Sequence, residues 1–213
     1  MDLTLADFQY LLKASLITLE IAAATVVLSF VLGTSFGVLA ALGGWFVRAV
    51  LTAYVYAVRG VPVLVLIFIA YFGLPRMGLE VPNYIAATVA LVVYFAAFVA
   101  DIVRGAILAV PRNTVEAGKA IGFRGWQVLV HIQLPLGIRL AMPPLVTTAS
   151  IAVKSTSYAS IVGVWELTYA SREIVERTLL AFQVFFAVMV IYFCICYPIS
   201  LFASYLQRRY QSA

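Results

Sequence analysis

The sequence predicts an all-α integral membrane protein with five transmembrane helices, and three observations carry that expectation. The chain of 213 residues is 64% hydrophobic and only 11% charged, with a mean hydropathy of +1.06. Soluble domains of this size need more charge on their surfaces. Five apolar runs recur along it, close to the roughly 20 residues that a helix needs to cross a hydrocarbon core. Basic residues gather in alternate connections between those runs, as a fixed membrane orientation requires.

The first run covers residues 14–42. Asp2 and Asp7 precede it without a basic cluster, so it reads as a retained span rather than a cleaved signal. Gly33, Gly37 and Ala41 form a small-residue stripe along it, suited to close helix contact within the chain or across a dimer. The second span is placed at 50–74. Its core, Val61–Leu74, is short, and the apolar lead-in from Val47 either extends the span or forms an interfacial helix. Pro62 falls near a helix start, where its missing N–H costs nothing. The remaining spans are placed at 84–103, 140–160 and 182–206. Cys194 and Cys196 point to nearly opposite sides of the last one and read as membrane-buried residues without a disulfide or metal partner. The whole chain, 1–213, reads as a single transmembrane domain.

Orientation follows from the connections. Arg104, Arg112, Lys119, Arg124 and Arg139 face one acid, Glu116, between spans three and four. Arg48, Arg208 and Arg209 join that side. The opposite side holds Asp2, Asp7, Glu80, Glu166, Glu173 and Glu176, with Lys13, Arg76, Arg172 and Arg177. Basic residues mark the cytoplasmic side, so the N-terminus is expected outside and the C-terminus inside. The net charge of +5 therefore reports topology rather than a nucleic-acid partner. There is no room for a nucleotide-binding domain and no phosphate loop of the G-x-x-x-x-G-K-S/T kind. No cofactor is expected on this chain.

The connection over about 112–135 is the informative segment. Val115, Ala117, Ala120 and Ile121, then Trp126, Val128 and Leu129, read as short amphipathic helices broken at Gly122 and Gly125. Glu116 is expected in a first helical turn, favoured by the helix dipole. Gly122 permits a turn with positive φ, and Pro135 is expected to stop the helix before span four. Such a rigid pair suits docking of a soluble partner. An interfacial helix on lipid head groups would use the same basic residues and Trp126.

The spacing Glu116-Ala117-Gly118, three residues, Gly122, nine residues, Ile132-x-Leu134-Pro135 resembles the "EAA" coupling segment of ABC-importer permeases, with Gly118 in place of the second alanine. The resemblance extends over nearly the whole chain. Arg59-Gly60-Val61-Pro62, the run to Pro75, Ala100-Asp101-Ile102-Val103-Arg104-Gly105, Lys154-Ser155-Thr156-Ser157, and Ile161, Gly163, Glu166 and Leu167 resemble motifs of the histidine/glutamate/glutamine/arginine family. Asp101 stands where glutamate is usual, Arg112-Asn113-Thr114 replaces K-G-Q, Tyr158 replaces leucine, and Trp165 is bulky. The resemblance implies a type I ABC-importer permease fold with a cytoplasmic coupling helix between spans 3 and 4. It also implies two ABC ATPase subunits carrying ATP and Mg, a second permease subunit (the same or a related chain), and a periplasmic or lipid-anchored amino-acid-binding protein. The location implied is the bacterial inner membrane.

Charges inside the spans are the candidate path. Lys154 lies about 11 residues past Pro143, roughly 17 Å into the bilayer, where a lysine needs a polar cavity or a partner. It suits a substrate carboxylate, a neighbouring chain's acid, or helix carbonyls. Ser155, Thr156 and Ser157 suit substrate or helix carbonyls. Asp101 is expected to pair with Arg104 three residues on, or to meet substrate. Glu166 is expected beyond span four, as a solvated loop acid or an acid at the entrance. Arg59 and Pro62 are the candidate inner gate, although Arg59 also suits snorkelling to the surface. His131, the only histidine, makes neither a metal site nor a triad.

The function expected is the transmembrane subunit of an ATP-driven amino-acid importer, without covalent chemistry of its own. An intramembrane enzyme would need paired aspartates or a His-rich set, which the spans lack. A stand-alone channel or secondary transporter would often show a repeated half, which this chain does not.

Overall fold

A computed structural model describes residues 3–211; Asp2, assigned above to the outer side, lies outside the described residues. Among the described residues every regular element is helical. Helix α1 (Leu5–Leu42) begins well before residue 14, because Thr4 and Asp7 cap it reciprocally. Thr4 Oγ1 accepts from the Asp7 N–H at 3.3 Å, and Asp7 Oδ2 accepts from the Thr4 N–H at 2.9 Å. Helices α2 (Trp45–Arg59) and α3 (Val63–Arg76) follow, then α4 (Asn83–Leu108) and α5 (Arg112–Ala120). A single-turn α6 (Gly125–Val128), a π turn (Leu129–Gln133), α7 (Leu134–Ser155) and a 3-10 stretch (Thr156–Val162) run on as one axis. Helices α8 (Leu167–Thr178) and α9 (Ala181–Gln211) complete the chain.

Among the described residues four stretches are long and apolar enough to cross a membrane: α1, α4, Gly125–Val162 and Ala181–Arg209. The fifth is the pair α2–α3, bent by 101°. The expected span 50–74 is therefore not one helix. Pro62 forces the break, since it disfavours helical geometry at Val61 and removes a donor. Its carbonyl then opens α3 by accepting from Val65 N at 2.9 Å.

Packing fixes the direction of each pass. Helices α1 and α4 run parallel: Gly33 lies against Ala96 and Val99, and Gly37 against Ala100 and Val103. A Cβ on Gly37 would sit 2.7 Å from both the Ala100 oxygen and the Val103 Cβ, so only glycine allows the backbones to come this close. The small-residue stripe is thus satisfied within the chain. Ile67 of α3 and Ala152 of α7 join Ile21, Ala87 and Leu91 in the main core. Val184 and Val188 of α9 pack near Leu11, and Cys196 packs farther along beside Ala22 and Val153. The described chain therefore starts and ends at opposite ends of the bundle. Both cysteines are free, Cys196 buried and Cys194 exposed.

One sequence expectation needs correction here. Pro135 does not stop a helix before span four; the axis continues through it. The π turn carries the Leu134 N–H back to the Leu129 oxygen. Pro135 then falls in the first turn of α7, where a missing donor is tolerated.

Candidate functional site

The segment between α4 and α7 folds as two helices at one end of the bundle. Helix α5 ends in a Schellman turn: Phe123 N donates to Gly118 O at 3.1 Å and Gly122 N to Lys119 O at 3.0 Å. Gly122 has φ +89°, a conformation that only glycine adopts without strain. The chain reverses there, and Gln127 Oε1 receives the Arg124 N–H at 2.8 Å to start α6. The reversal brings the motif together. Gly118 is buried, and a Cβ on it would run into the Ile132 Cδ1 and lie 3.6 Å from Val128 Cγ2. Gly118 thus makes room for the Ile132 side chain.

Glu116 and Ala117 remain exposed, with Lys119, Ile121 and Trp126 beside them. Glu116 stands in the second turn of α5, not the first as expected, because the helix already starts at Arg112. Leu134 is half-buried and Pro135 exposed. His131 accepts a structural role: its Nδ1 lies 3.0 Å from Gln127 O, and its ring packs by Phe123 and Trp126. Among the described residues no group of histidine, cysteine and carboxylate side chains is arranged to hold a metal.

The structure re-pairs the charges of the spans. Asp101 forms its ion pair with Arg59, not with Arg104. Arg59 leaves the α2–α3 elbow, lies over the Phe98 ring at 4.9 Å and fastens the elbow to α4. Arg104 points elsewhere, its Nε buried without a partner. Lys154 is exposed on α7. Ser155 and Thr156 are buried, and Ser157 is half-buried beside exposed Tyr158. Thr156 Oγ1 donates to Val153 O at 2.8 Å and Ser157 Oγ to Lys154 O at 2.9 Å, which satisfies helix carbonyls.

Glu166 is corrected most. It is neither solvated nor at an open entrance, being 0% exposed. Its Oε1 caps α8 by accepting from Tyr169 N at 2.9 Å. Its Oε2 lies 3.4 Å from both Thr18 Oγ1 and the Tyr192 hydroxyl. Burial pushes its carboxyl above the usual range. Sequence reasoning also missed the neighbouring network. Trp165 Nε1 donates to the Tyr10 hydroxyl at 2.9 Å, and that hydroxyl donates to Glu173 at 2.6 Å. Buried Asp7 pairs with Arg177 of α8. These partners stand far apart in sequence, so no local pattern announces them.

Parallel helices held by glycine, a bent second pass and an exposed helical hairpin at one end define a polytopic membrane protein. The family described as "binding-protein-dependent transport system inner membrane component" matches residues 33–212, and the chain belongs to that family. It is 32% identical over 201 residues to the glutamine transport system permease protein GlnP of Escherichia coli (strain K12), covering 93% of this chain and 92% of the relative. It is 35% identical over 162 residues to the probable glutamine ABC transporter permease protein GlnM of Bacillus subtilis (strain 168), covering 76% and 75%. It is 32% identical over 188 residues to the L-cystine transport system permease protein TcyB of the same organism, covering 86% and 80%. The fold is shared with a crystal structure of an amino acid ABC transporter with histidines, at TM-score 0.89, 23% identity, and 98% and 100% coverage. It is shared also with the MetNI methionine ABC transporter in an inward-facing conformation, at TM-score 0.79, 22% identity, and 98% and 99% coverage.

Proposed function

We propose that this chain is the transmembrane subunit of an ATP-driven importer that receives polar amino acids from a binding protein. The relatives named for glutamine and L-cystine support that substrate class. The observation that carries the reading is the exposed helical hairpin. Glu116 and Ala117 face outward on α5, Gly118 and Ile132 pin α5 to the following axis, and Gly122 sets the reversal. A cleft on a soluble ATPase that holds α5 holds a lever joined to α4 on one side and, through Leu134 and Pro135, to α7 on the other.

The hairpin end is the cytoplasmic end in this reading. The N-terminus is then outside and the C-terminus inside a bacterial inner membrane, as the basic residues favour. Two ATPase subunits carry ATP and Mg, and a second permease chain, identical or related, completes the pathway. Closure of the ATPases on ATP draws the hairpins together, and the bundle reorients its substrate from outside to inside. Affinity must fall on that reorientation, or the ligand would not leave, and the ATP-driven rearrangement supplies that difference. Exposed Lys154 lines the path with half-buried Ser157 beside it, Lys154 meeting a substrate carboxylate, while buried Ser155 and Thr156 hold the helix behind them. The Arg59–Asp101 pair at the Pro62 elbow is the inner gate: moving α4 through the hairpin strains or frees α2–α3.

Charge exchange tests the gate. Arg59→Asp or Asp101→Arg alone should lower ligand-stimulated ATP hydrolysis by the complex several-fold, on the scale of about 1 kcal/mol for a half-exposed pair turned repulsive. The double exchange should restore a substantial part. Single variants with wild-type stimulation would remove Arg59 and Asp101 from the mechanism.

A further inference from the structure

A cavity of about 570 Å³ lies neither at the hairpin nor beside Lys154. It is a lateral groove between the first halves of α1 and α4, at the end of the bundle opposite the hairpin. Ile17, Ala24 and Leu28 of α1 and Val89 of α4 make its walls, and Asn83, Tyr84 and Trp165 its rim. One carboxylate, Glu20, lines it.

Glu20 is exposed and lies within the most apolar part of α1, between exposed Leu16 and Leu19 and the wall residues. The Asn83, Thr88 and Trp165 side-chain donors of the groove are committed elsewhere. The Asn83 amide donates to Val162 O at 3.3 Å and Gly163 O at 2.8 Å. Thr88 Oγ1 donates to Tyr84 O, and Trp165 Nε1 to Tyr10 and Glu173. Among the described residues no cation is paired with Glu20. A carboxylate within a spanning helix is costly unless a cation or water meets it. Its depth is set by Thr18, whose Oγ1 accepts from Leu167 N at the start of α8. Glu20 is two residues further in, about 3 Å below that level by helical rise. Trp165 and Tyr84 at the rim suit the head-group boundary.

We propose that this groove is a binding site for a phospholipid with a primary ammonium head group, of the phosphatidylethanolamine kind. The proposal rests on the reading of α1 and α4 as spanning helices. An acyl chain lies along Ile17 to Leu28, a length of about 16 Å at helical rise. The ammonium sits on Glu20 in a charge-assisted hydrogen bond. The charge selects the class. A net anionic phosphatidylglycerol is repelled, and a quaternary phosphatidylcholine brings charge but no N–H. Walls this apolar do not suit a polar amino acid, which separates the groove from the transport path.

The complex, in nanodiscs holding phosphatidylethanolamine and phosphatidylglycerol in equal amounts, is released and its retained lipids are weighed by native mass spectrometry. Wild type should retain phosphatidylethanolamine over phosphatidylglycerol by about tenfold, the worth of one hydrogen bond to a charged group. Glu20→Gln should bring the ratio close to one while keeping the groove's shape. Ala24→Trp, which fills the groove, should release both lipids. Equal retention by wild type, or an unchanged ratio in Glu20→Gln, would overturn the site. So would a disulfide between Glu20→Cys and a cysteine on the second permease chain, which would show that a protein covers the groove. Any of these results with ligand-stimulated ATP hydrolysis intact removes the lipid site and leaves the importer reading standing.

Discussion

The α1–α4 seam and the α5–α6 hairpin are both built on glycine, but against different neighbours. At the seam, Gly33 and Gly37 face the Ala96 and Ala100 carbonyl oxygens, which belong to a helix backbone and cannot retreat. In the hairpin, Gly118 faces the tip of one flexible side chain, Ile132 Cδ1, and Gly122 faces nothing at all. Its task is only the φ of +89°. The seam therefore holds the bundle together, whereas the hairpin has a fixed shape and few anchors. In the proposed reading the seam is the stiff element to be moved and the hairpin the handle that moves it.

The largest effect should come from the seam. Gly37→Val places its Cβ against the Ala100 oxygen and Val103, an overpacking that costs about 3 kcal/mol or more where the backbone cannot yield. A marked fall in the thermal midpoint of the purified complex is expected. An unchanged midpoint would show that α1 and α4 can separate freely. Next comes the network that fastens α8. Glu166→Ala removes the cap on Tyr169 N, about 1–2 kcal/mol, while Thr18 keeps Ala14 O and Leu167 N and Tyr192 keeps Thr168 as partners. Glu166→Gln keeps much of the shape and removes the titration. Since burial raises the Glu166 pKa, its contribution is full below the ordinary value of 4.5 and is lost as pH rises through the folded-state value. Over that window wild type should lose more thermal midpoint than Glu166→Gln; equal slopes would mean that the carboxyl is not buried in the complex.

The hairpin should respond differently. Gly122→Val forces a β-branched residue into the left-handed region, about 1–3 kcal/mol of local strain. The bundle's midpoint should move little, while the ATPase recovered per permease on purification should drop. A large midpoint loss with full ATPase recovery would reverse the contrast. Gly118→Ala should be the mildest, under about 1 kcal/mol, because only the Ile132 tip must shift. A cost as large as that of Gly37→Val would mean that the hairpin is as rigid as the seam.

Local features were legible in the sequence. The glycine stripe on α1 and the positive-φ turn at Gly122 both read correctly, because each depends on a few adjacent residues. The family was legible because the hairpin motif is itself a contact: its Gly118 and Ile132 meet in space. What failed was pairing at a distance. Arg104 is three residues from Asp101 and invited an i,i+3 pair, but the partner is Arg59 across the elbow. Glu166 looked like a loop acid because Thr18 and Tyr192, which enclose it, lie far off in sequence. Pro135 looked like a stop because a π turn cannot be read from composition. Glu20 drew no attention amid its apolar neighbours, and only the groove beside it gives it meaning.

The most direct test of the handle is ATP hydrolysis by the complex in lipid nanodiscs, with its binding protein and single amino acids supplied in turn. The expected result is stimulation by one ligand, abolished by Glu116→Lys, which reverses the charge on the exposed face of α5 without touching Gly118 or Ile132. A rate blind to every ligand, or stimulation that survives Glu116→Lys, would contradict the assignment of the hairpin as the point where ATP hydrolysis is coupled to the membrane bundle.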